Sequence, residues 1–158
     1  MCLYTKTNVA KIAKTDLYVI KQFSIYTKWN GKFKLKSPYR EFFWNKNIYY
    51  NASLKIELNK FNGNYNVNEG LHAFYQNNIG YGKLPSSVDN RHPLYICKIP
   101  KGSEYYLGME SDIVSNKMKI VEIGYEVSKY SPVKCVDHIN VFKKAFKKLE
   151  KKYGKQNY

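Results

Sequence analysis

Leu17, Val19, Phe23 and Ile25 recur at even spacing with only Lys21 interrupting, so residues 17–25 read as one long half-buried strand. Asn30-Gly31 follows, the dipeptide best able to take positive φ at both centres of a tight turn. Phe33 and Leu35 resume the alternation on the return, which predicts a β-hairpin. Ser37-Pro38 ends it, and Tyr39 to Trp44 forms an aromatic segment. Strand character returns from Ile48 to Leu58. Phe61 to Asn68, with a second Asn-Gly at Asn62-Gly63, reads as a turn. Gly70 to Phe74 is a short apolar piece, a strand or a first helical turn. Residues 76–93, with Gly80, Gly82, Pro85 and Asp89-Asn90, read as a long surface loop.

The stretch from Leu94 to Val127 organises the rest. Leu94 to Ile99 predicts a strand that is apolar on one face and turns polar at the end of the other, and Pro100 stops it because proline has no N–H to donate. Lys101 to Gly108 reads as a polar-aromatic loop, and residues 112–127 as the return. Ser131-Pro132 then predicts a helix start, since serine caps open amides and proline tolerates the first helical position. Ile139, Phe142, Phe146, Leu149 and Tyr153 make one apolar stripe over 132–153, opposite Lys143, Lys144, Lys147, Lys148, Lys151 and Lys152. Residues 1–15 are polar and read as extended or loosely held. The pattern predicts a single α+β domain over 1–158: a mainly antiparallel β-sheet with one C-terminal amphipathic helix packed on it.

Charge narrows the partners. Twenty-seven Lys and Arg against 12 Asp and Glu give +15 over 158 residues, a field that attracts nucleic acid, nucleotides or acidic lipid. Lysines spread for solubility would give the same total. The helix's lysine face reads as a solvated outer face more readily than as a track for phosphates. Arginine occurs only as Arg40 and Arg91, and a guanidinium can fork onto phosphate in ways lysine cannot. The N-terminal MCLYTKTNVAKIAK lacks the apolar core of a secretion signal, and no run approaches bilayer-spanning length. With three well-separated cysteines, Cys2, Cys97 and Cys135, this predicts free thiols in a reducing, cytoplasmic compartment.

Motifs for known chemistry are missing from the sequence. There is no complete phosphate loop, dinucleotide fingerprint or Gly-x-Ser-x-Gly. Glu110 with Asp112, and Glu122 with Glu126, have no evident acid–base partner. Cys135-x-x-His138 could join His92 and Cys97 around zinc, but 92 and 97 have opposite strand parity, so no metal and no cofactor is expected.

Two segments combine positive charge with aromatic faces. Lys101, Gly102 and Ser103 offer an ammonium and backbone amides for phosphates, beside the rings of Tyr105 and Tyr106. Arg40 stands among Tyr39 and Trp44, able to hold a phosphate while a ring stacks a base. His72, behind Gly70, would hydrogen-bond a ribose or base edge, although a structural histidine fits as well. These nine residues are the candidate ligand site.

The opening MCLYTKTNVAKIAKTD, Ser37-Pro38-Tyr39-Arg40, Gly70-Leu71-His72-Ala73-Phe74 and Cys97 to Gly108, in that order, resemble small accessory proteins of tailed phages infecting gut bacteria. The resemblance covers most of residues 1–125 and implies a phage accessory protein acting in the host cytoplasm. Its pattern has a short helix where residues 75–90 are glycine-rich here. The order of a Gly-x-His-x-Phe element, a strand and a later hairpin also resembles ADP-ribose-handling folds, a pointer to nucleotide-type ligands. The expected function is counter-defence: a non-enzymatic protein that sequesters an anionic nucleotide-like ligand. The alternatives are non-specific nucleic-acid or host-protein binding through a lysine-rich surface, and an enzyme processing ADP-ribose or a cyclic nucleotide.

Overall fold

A computed structural model describes residues 3–37, 42–76, 91–125 and 138–158. Its strands are β1 (Leu3–Thr5), β2 (Lys11–Ile12), β3 (Leu17–Gln22), β4 (Ser24–Thr27), β5 (Phe33–Lys36), β6 (Phe43–Trp44) and β7 (Tyr50–Asn51). They continue with β8 (Lys55–Leu58), β9 (Tyr65–Glu69), β10 (Leu71–Phe74), β11 (Leu94–Ile99), β12 (Glu104–Leu107), β13 (Asp112–Ser115) and β14 (Lys117–Tyr125). One helix, α1, spans His138–Tyr153. The fold is α+β, mostly antiparallel sheet with the C-terminal helix packed against it.

The large sheet has the order β2-β12-β13-β10-β3-β11-β14-β7, and β3 runs beside β11 from Leu17 opposite Ile99 to Gln22 opposite Leu94. Five of the six β3 residues are buried because both sheet faces are covered there, so alternation is hidden in the burial although not in the side-chain directions. Leu17, Val19 and Lys21 face a core with Tyr95, Cys97, Ile99, Ile113, Met118 and Ile120. Ile20, Leu94 and Ile96 face Val141, Phe142, Ala145, Phe146 and Leu149 of α1. Asn116 alone separates β13 from β14, yet β13 pairs with β10 and β12 while β14 pairs with β11 and β7. One bent strand therefore serves two separated places in the order, which requires the sheet to curl around its first core.

Two three-stranded sheets flank this body. Sheet β1-β9-β8 covers Tyr106 and Val114 with Leu3 and Val67. Sheet β4-β5-β6 is built on the Asn30-Gly31 hairpin; it turns Leu35 and Trp44 inward, with Ile25 packed beside them. Gly31 takes φ 77° but Asn30 does not take positive φ, so the connection is not the tight turn expected: residues 28–32 link the strands, with Trp29 and Asn30 at the centre of a turn that Gly31 N–H closes on Lys28 O.

The tail beyond α1 completes an edge. β10 meets β3 only at Phe74 opposite Ile20, so the backbone of Tyr18 lacks a strand partner on that side. Tyr18 N–H donates to Gln156 Oε1 at 2.9 Å, and the Tyr158 hydroxyl donates to Tyr18 O. The Tyr18 ring stacks on Tyr153 at 3.8 Å between centroids.

Several expectations are corrected. The 17–25 strand breaks at Phe23, whose N–H donates to Pro93 O, and the chain then crosses into the second sheet. Residues 65–69 are strand, and residues 104–107 are strand rather than loop. The N-terminal segment is anchored, with Leu3 and Ala13 buried and Leu3–Thr5 laddered to β9. The Ser131-Pro132 cap, most of the 76–93 loop, Cys2 and Cys135 lie outside the described residues.

Candidate functional site

The 101–106 segment is a tight turn leading into β12. Gly102, at φ 85°, donates its N–H to Ala13 O at 2.8 Å, and Ser103 N–H donates to Pro100 O at 3.1 Å. Lys101 N–H donates to Asp16 Oδ1 at 3.0 Å, while Lys98 Nζ pairs with Asp16 Oδ2 at 2.5 Å. Those contacts, the Lys98 hydrogen bond first and the Lys101 amide next, hold the Asp16 carboxyl below its ordinary range. The anion expected in this cradle is thus the chain's own carboxylate, and the amides of Gly102 and Ser103 are engaged by backbone carbonyls.

The rings expected to stack a base are inside. Tyr105 and Tyr106 are 4% and 6% exposed, on opposite faces of β12 and in different cores. Burial pushes both phenols up, and the Tyr106 hydroxyl donates to Asn8 O at 3.1 Å. Ser103 is buried as well, whereas Lys101 and Gly102 are exposed. Trp44 is 3% exposed, its ring packed against Phe23, Phe42 and Tyr50 in the same core that holds Tyr105. His72 stands on β10 in one row with Val114 and Tyr106, half-buried. Tyr39 and Arg40 lie outside the described residues. The fold therefore joins Lys101, Gly102 and Ser103 in one turn, sets His72 in the same row as Tyr106, and links the His72 carbonyl to the Trp44 ring through the Lys21 ammonium between them.

Lys21, the interruption in the apolar pattern, points into the first core. It is 5% exposed, its ammonium donates to His72 O, and Phe23 and Trp44 each present a ring 5.5 Å away. Burial lowers its pKa from 10.5 to about 8, partly opposed by the Cys97 thiol, which burial raises to about 12.

Three lysines of α1 contact the sheet beneath it. Lys148 Nζ donates to Ile123 O, Lys152 pairs with Glu122 at 2.9 Å, and Lys144 lies over the Tyr125 ring.

An open aromatic and basic surface lies elsewhere, on the outer face of β4-β5-β6. Tyr26 stands opposite Lys34, and Phe43 opposite Lys36, so these four side chains share the face turned away from Leu35 and Trp44. Tyr26 is 52% exposed and Phe43 40%, with ring centroids 5.8 Å apart edge to face, and Lys34 Nζ lies 5.4 Å from the Phe43 centroid. Phe33 is exposed at the hairpin end, and Trp29 at its tip is fully exposed. Residues 24–37 carry four lysines and no carboxylate. That aromatic-interleaved basic run was the available sequence signal; hydrophobic alternation by itself does not tell which rings stay outside.

Comparison with protein-family models, with curated proteins and with solved structures finds no match to this chain. Among the described residues, no helix is long and apolar enough to cross a membrane, and no three His, Cys, Asp or Glu side chains gather as a metal site.

Proposed function

We propose that this protein binds nucleic acid through the outer face of β4-β5-β6, as a phage accessory protein of the host cytoplasm. The carrying observation is the pairing of exposed rings with exposed ammonium groups on one rigid sheet face: Tyr26 and Phe43 flanking Lys34. Rings offer stacking surface to any base, and lysines neutralise the phosphates between them. This is the ligand chemistry expected from the sequence, anionic and ring-bearing, moved from the 101–106 turn to a surface whose groups are open. Lys28, Lys32 and Lys34 form no ion pair with the described residues, so their charge is available to a partner. The phage setting rests on the sequence resemblance.

The test is anisotropy of a labelled oligonucleotide across a salt series. Binding should weaken as salt rises, and replacing Lys28, Lys32 and Lys34 together by Gln should reduce the slope of log K against log salt by about 2 on a single strand. Binding that ignores both salt and the triple replacement refutes the proposal. Tight binding of a mononucleotide, unaffected by these lysines, would instead favour sequestration of a small ligand.

A further inference from the structure

We infer that the hairpin tip is a base-stacking wedge, and that its ligand class is single-stranded rather than duplex nucleic acid, with Trp29 as the stacking ring. This deepens the nucleic-acid reading above and rests on it. The tip is closed by hydrogen bonds: Lys28 N–H donates to Lys32 O at 2.8 Å, Gly31 N–H to Lys28 O at 3.0 Å, and Lys32 N–H to Asn30 Oδ1 at 3.2 Å. Trp29 projects from this turn fully exposed, so its ring contributes no burial to the fold. Lys28 and Lys32, also exposed, flank it. An indole on a turn that carries an exposed lysine before it and another after it in the chain complements a base next to its own phosphates.

A second exposed ring supplies an internal contrast. Phe61 is also fully exposed, beside the Asn62-Gly63 turn. Its hairpin, residues 55–69, carries two lysines and two glutamates. Lys55 pairs there with Glu69 at 2.8 Å, and Asn68 donates to Glu57 at 2.8 Å. That arm is neutral, whereas residues 24–37 hold four lysines and no acid. Charge complementarity therefore selects the Trp29 arm for a polyanion. In a duplex each interior base already has neighbours on both faces, so a protruding ring gains stacking only on a base that is unstacked, as in a single strand.

The experiment uses intact protein with a thymidine 12-mer, the same strand in duplex with its complement, and thymidine monophosphate. Trp29 and Trp44 are the only tryptophans, and Trp44 is buried, so the solvent-exposed component of indole emission reports on Trp29. The single strand should quench that component. Trp29→Ala should weaken single-strand binding roughly 5- to 150-fold. It should leave duplex binding within about twofold, because phosphate contacts supply the duplex affinity. Trp29→Phe should restore part of the loss, and Phe61→Ala should change nothing. Salt-sensitive binding with no quenching, and no response to Trp29→Ala, would overturn the wedge while leaving nucleic-acid binding in place. Equal affinity for strand and duplex would overturn the single-strand class. Equal quenching by the monophosphate at the same nucleotide concentration would overturn a strand ligand. Failure to bind either polymer at low salt would overturn the nucleic-acid reading itself.

Discussion

Replacing Lys21 by Met should stabilise this protein at neutral pH. The amine is buried, and its pKa falls from 10.5 to about 8 because burial penalises the charged form. Folding at pH 7 keeps the proton on a desolvated nitrogen, at a cost of about 3 kcal/mol relative to the unfolded chain. Methionine has a similar length and no charge, so it removes that cost. It also loses the charged hydrogen bond to His72 O and the attraction of two rings. Those losses offset part of the gain, leaving a net stabilisation of about 1–2 kcal/mol. The pH dependence is the sharper test. For a base whose folded pKa is lowered, the unfolded state binds more protons between about 8 and 10.5, so stability rises with pH through that window. The advantage of Lys21→Met should therefore shrink by about 1 kcal/mol between pH 7 and pH 9. The series stops at 9 because the Cys97 thiol, raised to about 12, favours folding below its ordinary 9.0 and loses that contribution as pH climbs further. Urea melts followed by circular dichroism measure both quantities. A gap that stays constant with pH, or a clear loss of stability at pH 7, would show that the ammonium is solvated.

Two further perturbations test the packing. Phe146→Ala removes a ring that is 2% exposed beneath α1 and should cost about 3–5 kcal/mol, whereas Lys147→Ala on the exposed face should stay within about 0.5 kcal/mol; thermal melts compare the two. Gln156→Ala leaves the Tyr18 N–H without its side-chain acceptor and should cost about 1–3 kcal/mol, with faster hydrogen exchange at the Tyr18 amide; an unchanged exchange rate would mean the tail does not hold that edge.

The sequence made the local elements legible where a turn or a period is self-contained. Asn30-Gly31 marks the hairpin, although only Gly31 takes the positive φ expected of both, and Phe142, Phe146 and Leu149 fix the buried face of α1. Residues 104–107 were illegible as a strand because Tyr105 and Tyr106 are both apolar enough for burial and both are buried, one on each side of a sheet covered twice. The Asn-rich β9 was illegible for a different reason: only Val67 is fully inside, and its asparagines read as turn residues. At the candidate site, the sequence showed donors at Lys101, Gly102 and Ser103 but not their partners, which come from Ala13 and Asp16, far away in the chain. Lys21 looked like a flaw in an amphipathic strand and is a buried charge. Trp29 has no place in the alternating pattern and stands in water, because the chain turns before the ring meets a partner.

The ladder between β3 and β11 has a temporal consequence. Leu17 must wait for Ile99 to find its neighbour, and Lys11 waits for Tyr105. Pairings separated by so many residues make folding slow, because loop closure is costly before the contacts form. During synthesis at ~5–20 residues per second, about 3–13 s pass between completion of β5 and completion of β11. Throughout that interval the β4-β5 hairpin can form alone, with Leu35 and Ile25 uncovered along with its outer rings. The nascent chain thus displays a two-faced aromatic hairpin before it owns a core. Its lysines, mutually repelling between neighbouring nascent chains, oppose the strand-to-strand association that such a hairpin would otherwise invite.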